Sequence, residues 1–133
     1  MKKNNQAYDE IKQSGLSAQI HRGNVFSDKC PSRNVLNHVT SRWGVLVLLA
    51  LRDGQTHRFS ELRRTINGVS EKMLAQTLQA LEQDRFVLRT AYPVVPPHVE
   101  YSLTALGAEV AVRVASLADW IEDNMADILR RAS

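Results

Sequence analysis

The stretch HRFSELRRTINGVSEKMLAQTLQALEQ, residues 57–83, decides the fold. His57-Arg58-Phe59 reads as a short extended segment, and Ser60 stands where an N-cap would precede the helical run Glu61-Leu62-Arg63-Arg64-Thr65-Ile66. Asn67-Gly68 interrupts that run, because glycine supplies the backbone angles that end a helix. Ser70 then caps a second helix, in which Leu74, Leu78 and Leu81 recur at intervals of four and three. Two short helices joined by a tight glycine-containing turn form a helix-turn-helix unit.

Projecting residues 70–83 at about 100° per residue separates the chemistry of the second helix. Leu74, Leu78 and Leu81 fall on one face, while Lys72, Gln76, Gln79 and Gln83 fall on the other. An ordinary solvated face more often carries Glu-Lys pairs. A lysine with three glutamines suits a nucleic-acid groove, since lysine contacts phosphate or guanine and a glutamine amide both donates to and accepts from base edges. The plain alternative is a polar exterior and nothing more. Around this helix stand Arg58, Arg63 and Arg64, with Arg89 and His98 further on, and residues 42–89 hold eight Lys/Arg against five Asp/Glu. Cations so placed would hold phosphates on either side of a groove, although each alone would serve equally as a solubilising surface charge.

Downstream of Asp84, residues 86–92 and 99–103 are rich in β-branched and aromatic side chains and read as two antiparallel strands. Pro93, Pro96 and Pro97 stiffen the loop between them. A hairpin directly after the second helix of such a unit is a wing. Thr104 can cap a last helix over about residues 104–131, where Val110, Val114, Leu117, Ile121, Met125 and Ile128 keep heptad-like spacing. At about 1.5 Å per residue this helix would be roughly 40 Å long, more than a small domain needs to cover its own core. Val110, Val114, Leu117, Trp120, Ile121 and Met125 are therefore expected to pack on a second copy of the chain.

Upstream, Val35, Leu36 and Val39 lie at helical spacing, and the strongly apolar run from Val45 to Leu51 should be the central buried helix, ending near Asp53-Gly54. Residues 1–29 read as a loose arm with at most one short helix from Gln6 to Gln13, and residues 30–133 as one winged helix-turn-helix domain. The expected fold class is mainly α with a small β-hairpin (α+β), with long helices at both ends serving dimerisation.

With 133 residues, 44% hydrophobic composition, a formal charge of +3 and a pI near 9.3, the chain can bury a real core and is compatible with a polyanionic partner without requiring one. Neither a signal-like apolar segment nor a membrane-length apolar run is apparent, so a cytoplasmic location without membrane contact is expected. Cys30 is the single cysteine, which rules out an intrachain disulfide and a cysteine-based metal cage. No metal and no cofactor is expected. An enzyme reading finds no phosphate-cradling glycine loop, no nucleophile elbow and no His-x-x-x-His pair. His21, His38, His57 and His98 are dispersed, with no carboxylate partner evident at motif spacing. Trp43, Trp120 and Tyr101 could line a small-molecule pocket, but also suit an ordinary core.

The sequence resembles the HxlR-type regulators, a branch of the MarR-like winged-helix transcription factors of bacteria. The resemblance rests on Cys30-Pro31, Arg42-Trp43-Gly44, Leu51-Arg52-Asp53-Gly54, Arg58-Phe59-Ser60-Glu61-Leu62-Arg63 and Val69-Ser70-Glu71-Lys72-Met73-Leu74. Tyr92-Pro93, Val99-Glu100-Tyr101-Ser102-Leu103-Thr104 and Leu106-Gly107 follow in order. It implies a dimer paired through its first and last helices and binding double-stranded DNA at a palindromic promoter site, with Ser70, Lys72 and Gln76 as groove contacts. It also implies that Cys30 matches a position at which several members sense oxidants, quinones or other electrophiles. The alternative for Cys30 is a structural thiol at the start of the first helix. Ala105 departs from the proline that often precedes the Leu-Gly pair, and the N-terminal arm is longer than usual. A winged-helix adaptor that binds protein instead of DNA is the competing reading, and it would favour an apolar or acidic face on the helix beginning at Ser70.

Overall fold

The structure, a computed structural model, describes residues 23–130. The described residues fall into two units, divided between Leu36 and Asn37. In the first, the Ser27 N–H donates to Asn24 O and the Cys30 N–H to Ser27 O, closing successive turns that lead into α1 (Pro31–Thr40). Pro31 suits the first helical position, where its missing N–H would have had no partner. Arg33 Nη1 donates to Phe26 O at 3.1 Å. The helix expected from Gln6 to Gln13 lies outside the described residues.

In the second unit, α2 (Arg42–Leu51) is the expected central helix, with Val47, Leu48 and Leu51 fully buried. Ser41 caps it by accepting from Gly44 N, and its own hydroxyl donates to His38 O at 2.9 Å. The α1 and α2 backbones meet at Gly44, where an added Cβ would lie 2.0 Å from His38 O.

After β1 (His57–Arg58) comes α3 (Phe59–Thr65). Ser60 does not cap α3 as the sequence suggested. The helix starts two residues earlier, and the Glu61 carboxylate reaches back to accept the Arg58 N–H at 2.7 Å. A carboxylate accepts from a terminal N–H more strongly than a hydroxyl does. Gly68, at φ 90°, makes the turn into α4 (Glu71–Gln83), which Ser70 caps by accepting from Met73 N at 3.0 Å. Leu74, Leu78 and Leu81 are buried, as their spacing predicts.

The hairpin consists of β2 (Val87–Tyr92) and β3 (His98–Leu103), paired in register from Val87 opposite Leu103 to Tyr92 opposite His98. β1 adds to the free edge of β3, with Arg58 opposite Glu100, to give an antiparallel sheet of order β1-β3-β2. Thr104 caps α5 (Ala105–Asp123) by accepting from Gly107 N, while its hydroxyl donates to Arg85 O at 2.7 Å.

The last helix differs from expectation. α5 has 19 residues, about 28 Å by the usual helical rise, and a separate short α6 (Met125–Leu129) follows. Asn124 divides them: its side-chain amide and its backbone N–H both donate to Trp120 O, at 2.8 and 3.1 Å.

Candidate nucleic-acid interface

Helix α4 presents Lys72, Gln76, Gln79 and Gln83, all exposed, opposite its buried leucines. Gln76 lies on the flank facing the start of α2, where it shares a shallow hollow with His38, Ser41 and Thr77. Gln79 lies on the other flank and lines a hollow with Arg89 of the wing. The exposed polar face thus reaches toward the sheet on one side only. Arg63 and Arg64, both exposed at the end of α3, line a third hollow with Ser60 and Glu71. Ser70 uses one lone pair of its hydroxyl as the α4 cap, leaving its O–H available as a donor.

The geometry changes the account of the histidines. Each of the three among the described residues has a carboxylate partner, although the sequence showed none at motif spacing. His38 Nδ1 lies 2.6 Å from Asp84 Oδ2, His57 Nε2 lies 2.9 Å from Asp53 Oδ2, and His98 Nε2 lies 2.6 Å from Glu100 Oε2. The first pair spans 46 residues, a separation no local pattern reveals. Asp53 is held below its ordinary value chiefly by the Gln55 N–H and secondarily by His57. Glu100 is held below its own chiefly by His98.

Arg58 and His98, expected to contact DNA independently, are joined. Arg58 Nη2 donates to His98 Nδ1, so Nδ1 carries no proton and the imidazole donates through Nε2 to Glu100. Tyr92 closes the group: its ring meets the His98 ring edge-on at 5.1 Å, and its hydroxyl donates to Glu100 Oε1 at 3.4 Å.

The wing tip, residues 93–97, carries no charge, and Val95 stands almost wholly in solvent. The aromatic residues considered for one pocket do not converge. Trp120 lines a groove of about 630 Å³ with Arg52, Ala111, Val112 and Asp119 along α5. Tyr101 lines the hollow beside Gln79 and Arg89, whereas Trp43 lies next to Gly68 and stacks under Arg42. Of the expected interface on α5 and α6, Leu117, Trp120 and Ile121 are exposed at 58%, 59% and 39%, while Val110, Val114 and Met125 are half-buried. Cys30 is buried, with Sγ 2.9 Å from Ser32 Oγ; that hydrogen bond is the main influence lowering its thiol pKa, against an opposing effect of burial. Among the described residues no cluster of metal-ligating side chains and no helix long and apolar enough to cross a membrane occurs.

A helix-turn-helix followed by a two-stranded wing defines a winged helix-turn-helix protein, in which the second helix of the unit is the recognition helix. The HxlR-like helix-turn-helix family matches residues 38–128, and the chain belongs to it. It is 68% identical over 119 residues to the HTH-type transcriptional regulator YtfH of Escherichia coli strain K12, a match covering 90% of this chain and 94% of the relative. The solved chain of ytfH from Salmonella typhimurium superposes with a TM-score of 0.77 at 70% identity, covering 81% of this chain and 96% of that one. The redox regulator HypR in its reduced form superposes with a TM-score of 0.67 at 34% identity, covering 74% and 96% of the two chains. The chain is a transcriptional regulator with a helix-turn-helix domain.

Proposed function

We propose that this protein is a sequence-specific DNA-binding repressor that acts in the cytoplasm as a homodimer, placing one α4 helix in each of two successive major grooves of a palindromic promoter site. The observation that carries this reading is the amide-rich, basic face of α4: Lys72, Gln76 and Gln79 are all exposed between the Arg63/Arg64 corner and Arg89 of the wing. Gln76 and Gln79 read base edges, Ser70 and Lys72 engage the helix-proximal strand, and Arg58, Arg63, Arg64 and Arg89 hold phosphates. The domain is taken to start near residue 30, with the preceding arm outside it. That relatives are named transcriptional regulators supports a binding role over an enzymatic one, and an adaptor would need a less polar recognition face.

Genomic DNA fragments captured by the purified protein at about 150 mM salt, where purely electrostatic binding is weakened, provide the test. Enrichment of a few palindromic promoter sites, lost in a Lys72→Ala/Gln76→Ala variant, is expected. Indiscriminate capture, or capture unaffected by the double variant, would show the reading to be wrong.

The exposed Leu117, Trp120 and Ile121 support self-association through α5 and α6, completed by Val110, Val114 and Met125. Sedimentation should give a dimer that Leu117→Glu converts to monomer. Cys30 is proposed as an oxidant- or electrophile-responsive thiol, on the strength of the Ser32 hydrogen bond to its sulfur. Diamide treatment should change operator affinity in the wild type and leave Cys30→Ser unchanged.

A further inference from the structure

The pairing of Arg58 with His98 assigns them different jobs. Arg58 stands opposite Glu100 in the β1-β3 ladder, and an arginine facing a glutamate across two strands would ordinarily pair with it. No such pair forms. His98, two residues before Glu100 on the same strand face, lies between them, giving its Nε2–H to the carboxylate and its Nδ1 lone pair to the guanidinium. Arg58 therefore meets a neutral acceptor, and among the described residues its guanidinium forms no ion pair. Only one of its five N–H groups is used at His98, and the guanidinium is anchored by a ring whose side chain is 19% exposed.

We propose that His98 is a positioning residue that aims Arg58 at a DNA phosphate only while its imidazole is neutral, making operator binding weaken in mild acid. This rests on the DNA-binding reading above. Once protonated, the ring has no lone pair for Arg58 and sets a second cation against it. It stays bound to Glu100, so the guanidinium is what leaves. Among the described residues the groups in contact with the ring are Arg58 from β1, Glu100 from β3 and Tyr92 from β2, with the Thr56 hydroxyl on the Glu100 carboxylate and the Glu61 carboxylate of α3 on the Arg58 N–H. The sign is diagnostic. Acidification adds positive charge to any protein, which by itself tightens binding to polyanionic DNA. The His98 device predicts the opposite.

Operator affinity should be measured at constant salt from about pH 8 to about pH 5.5, the span in which histidines take up protons. The wild type should lose about tenfold, the size of one charge-assisted hydrogen bond. Arg58→Ala should bind more weakly at the upper pH and lose the pH dependence. His98→Phe should behave like Arg58→Ala. His98→Gln, whose amide can accept from Arg58 and donate to Glu100, should recover affinity relative to His98→Phe and stay flat with pH. Wild-type affinity that rises or holds on acidification, or a fall that persists in His98→Gln, overturns the proposal. Nitrogen-15 spectra of the free protein give an independent reading: at the upper pH His98 should be the Nε2–H tautomer with Nδ1 hydrogen-bonded, and the other tautomer overturns it. The expected tautomer without specific DNA binding at any pH would refute the regulator reading, and the phosphate clamp with it.

Discussion

His38 and Asp84 tie the end of α1 to the end of the recognition helix. His38 Nδ1 lies 2.6 Å from Asp84 Oδ2, and Asp84, the C-cap of α4, has a side chain only 12% exposed. A carboxylate so little hydrated needs its partner. His38→Ala and Asp84→Ala should each destabilise the fold by about 1 to 2 kcal/mol, and the double variant by clearly less than the sum. Urea unfolding of the four proteins measures the coupling, and strict additivity would mean that the two side chains do not interact.

Gly107 is a packing requirement. A Cβ there would lie 1.9 Å from Phe86 O, so the first turn of α5 rests directly on the backbone leading into β2. Gly107→Ala should cost about 3 kcal/mol, the upper end for overpacking, because a backbone carbonyl cannot rotate out of the way. Gly54→Ala offers the contrast: φ is +78° but nothing lies within 4 Å, so a loss of about 1 kcal/mol from backbone strain alone is expected. Thermal melts that rank the two equally would contradict the close approach.

Base reading and phosphate holding predict different phenotypes. Gln76→Ala should reduce discrimination between operator and random DNA by about 1 to 3 kcal/mol with little change in salt slope. Arg63→Ala should weaken both kinds of DNA and flatten the slope by about one unit per site. Fluorescence anisotropy across a salt series separates them, and an equal loss on both DNAs from Gln76→Ala would remove it as a base reader.

Acid stability should depend on Asp53 and Glu100. Both are held below their ordinary values of 3.8 and 4.5 in the fold, Asp53 chiefly by the Gln55 N–H and Glu100 chiefly by His98. A depressed carboxyl pKa contributes stability that is present above the unfolded value and is lost as pH falls through the lower folded value. The wild type should therefore lose stability below about pH 4.5, and Asp53→Asn/Glu100→Gln should show a flatter acid limb with a lower plateau at neutral pH. Identical acid limbs would show that other groups govern acid unfolding.

Local signals in the sequence were sufficient for most of the fold. Ser70 and Thr104 cap the helices they were expected to cap, the leucines of α4 are buried, and the wing strands pair. Cap and periodicity signals act within a turn or two, so they are legible in one dimension. Elements decided by competition were not. The Glu61 carboxylate displaced Ser60 at the start of α3, and α5 ends at Asn124, whose side-chain amide joins its own N–H on the Trp120 carbonyl, short of the expected length. The candidate interface shows the same division. The face of α4 could be projected from spacing, whereas the His98 link to Arg58 crosses 40 residues and required the sheet to bring them together.

The junction between α1 and α2 has a kinematic consequence. Backbone meets backbone there, with the site of a Gly44 Cβ 2.0 Å from His38 O, and the one short side chain beside it, Ser41, is bonded to the same carbonyl and to Gly44 N. Because His38 also grips Asp84, the far end of α4 is pinned to a rigid elbow. At its near end α4 hangs from the Gly68 turn, where an added Cβ would meet nothing closer than Trp43 at 3.9 Å. Helix α4 is thus held at both ends, at Asp84 by His38 and, around the Gly68 turn, by the buried Ile66 and Val69.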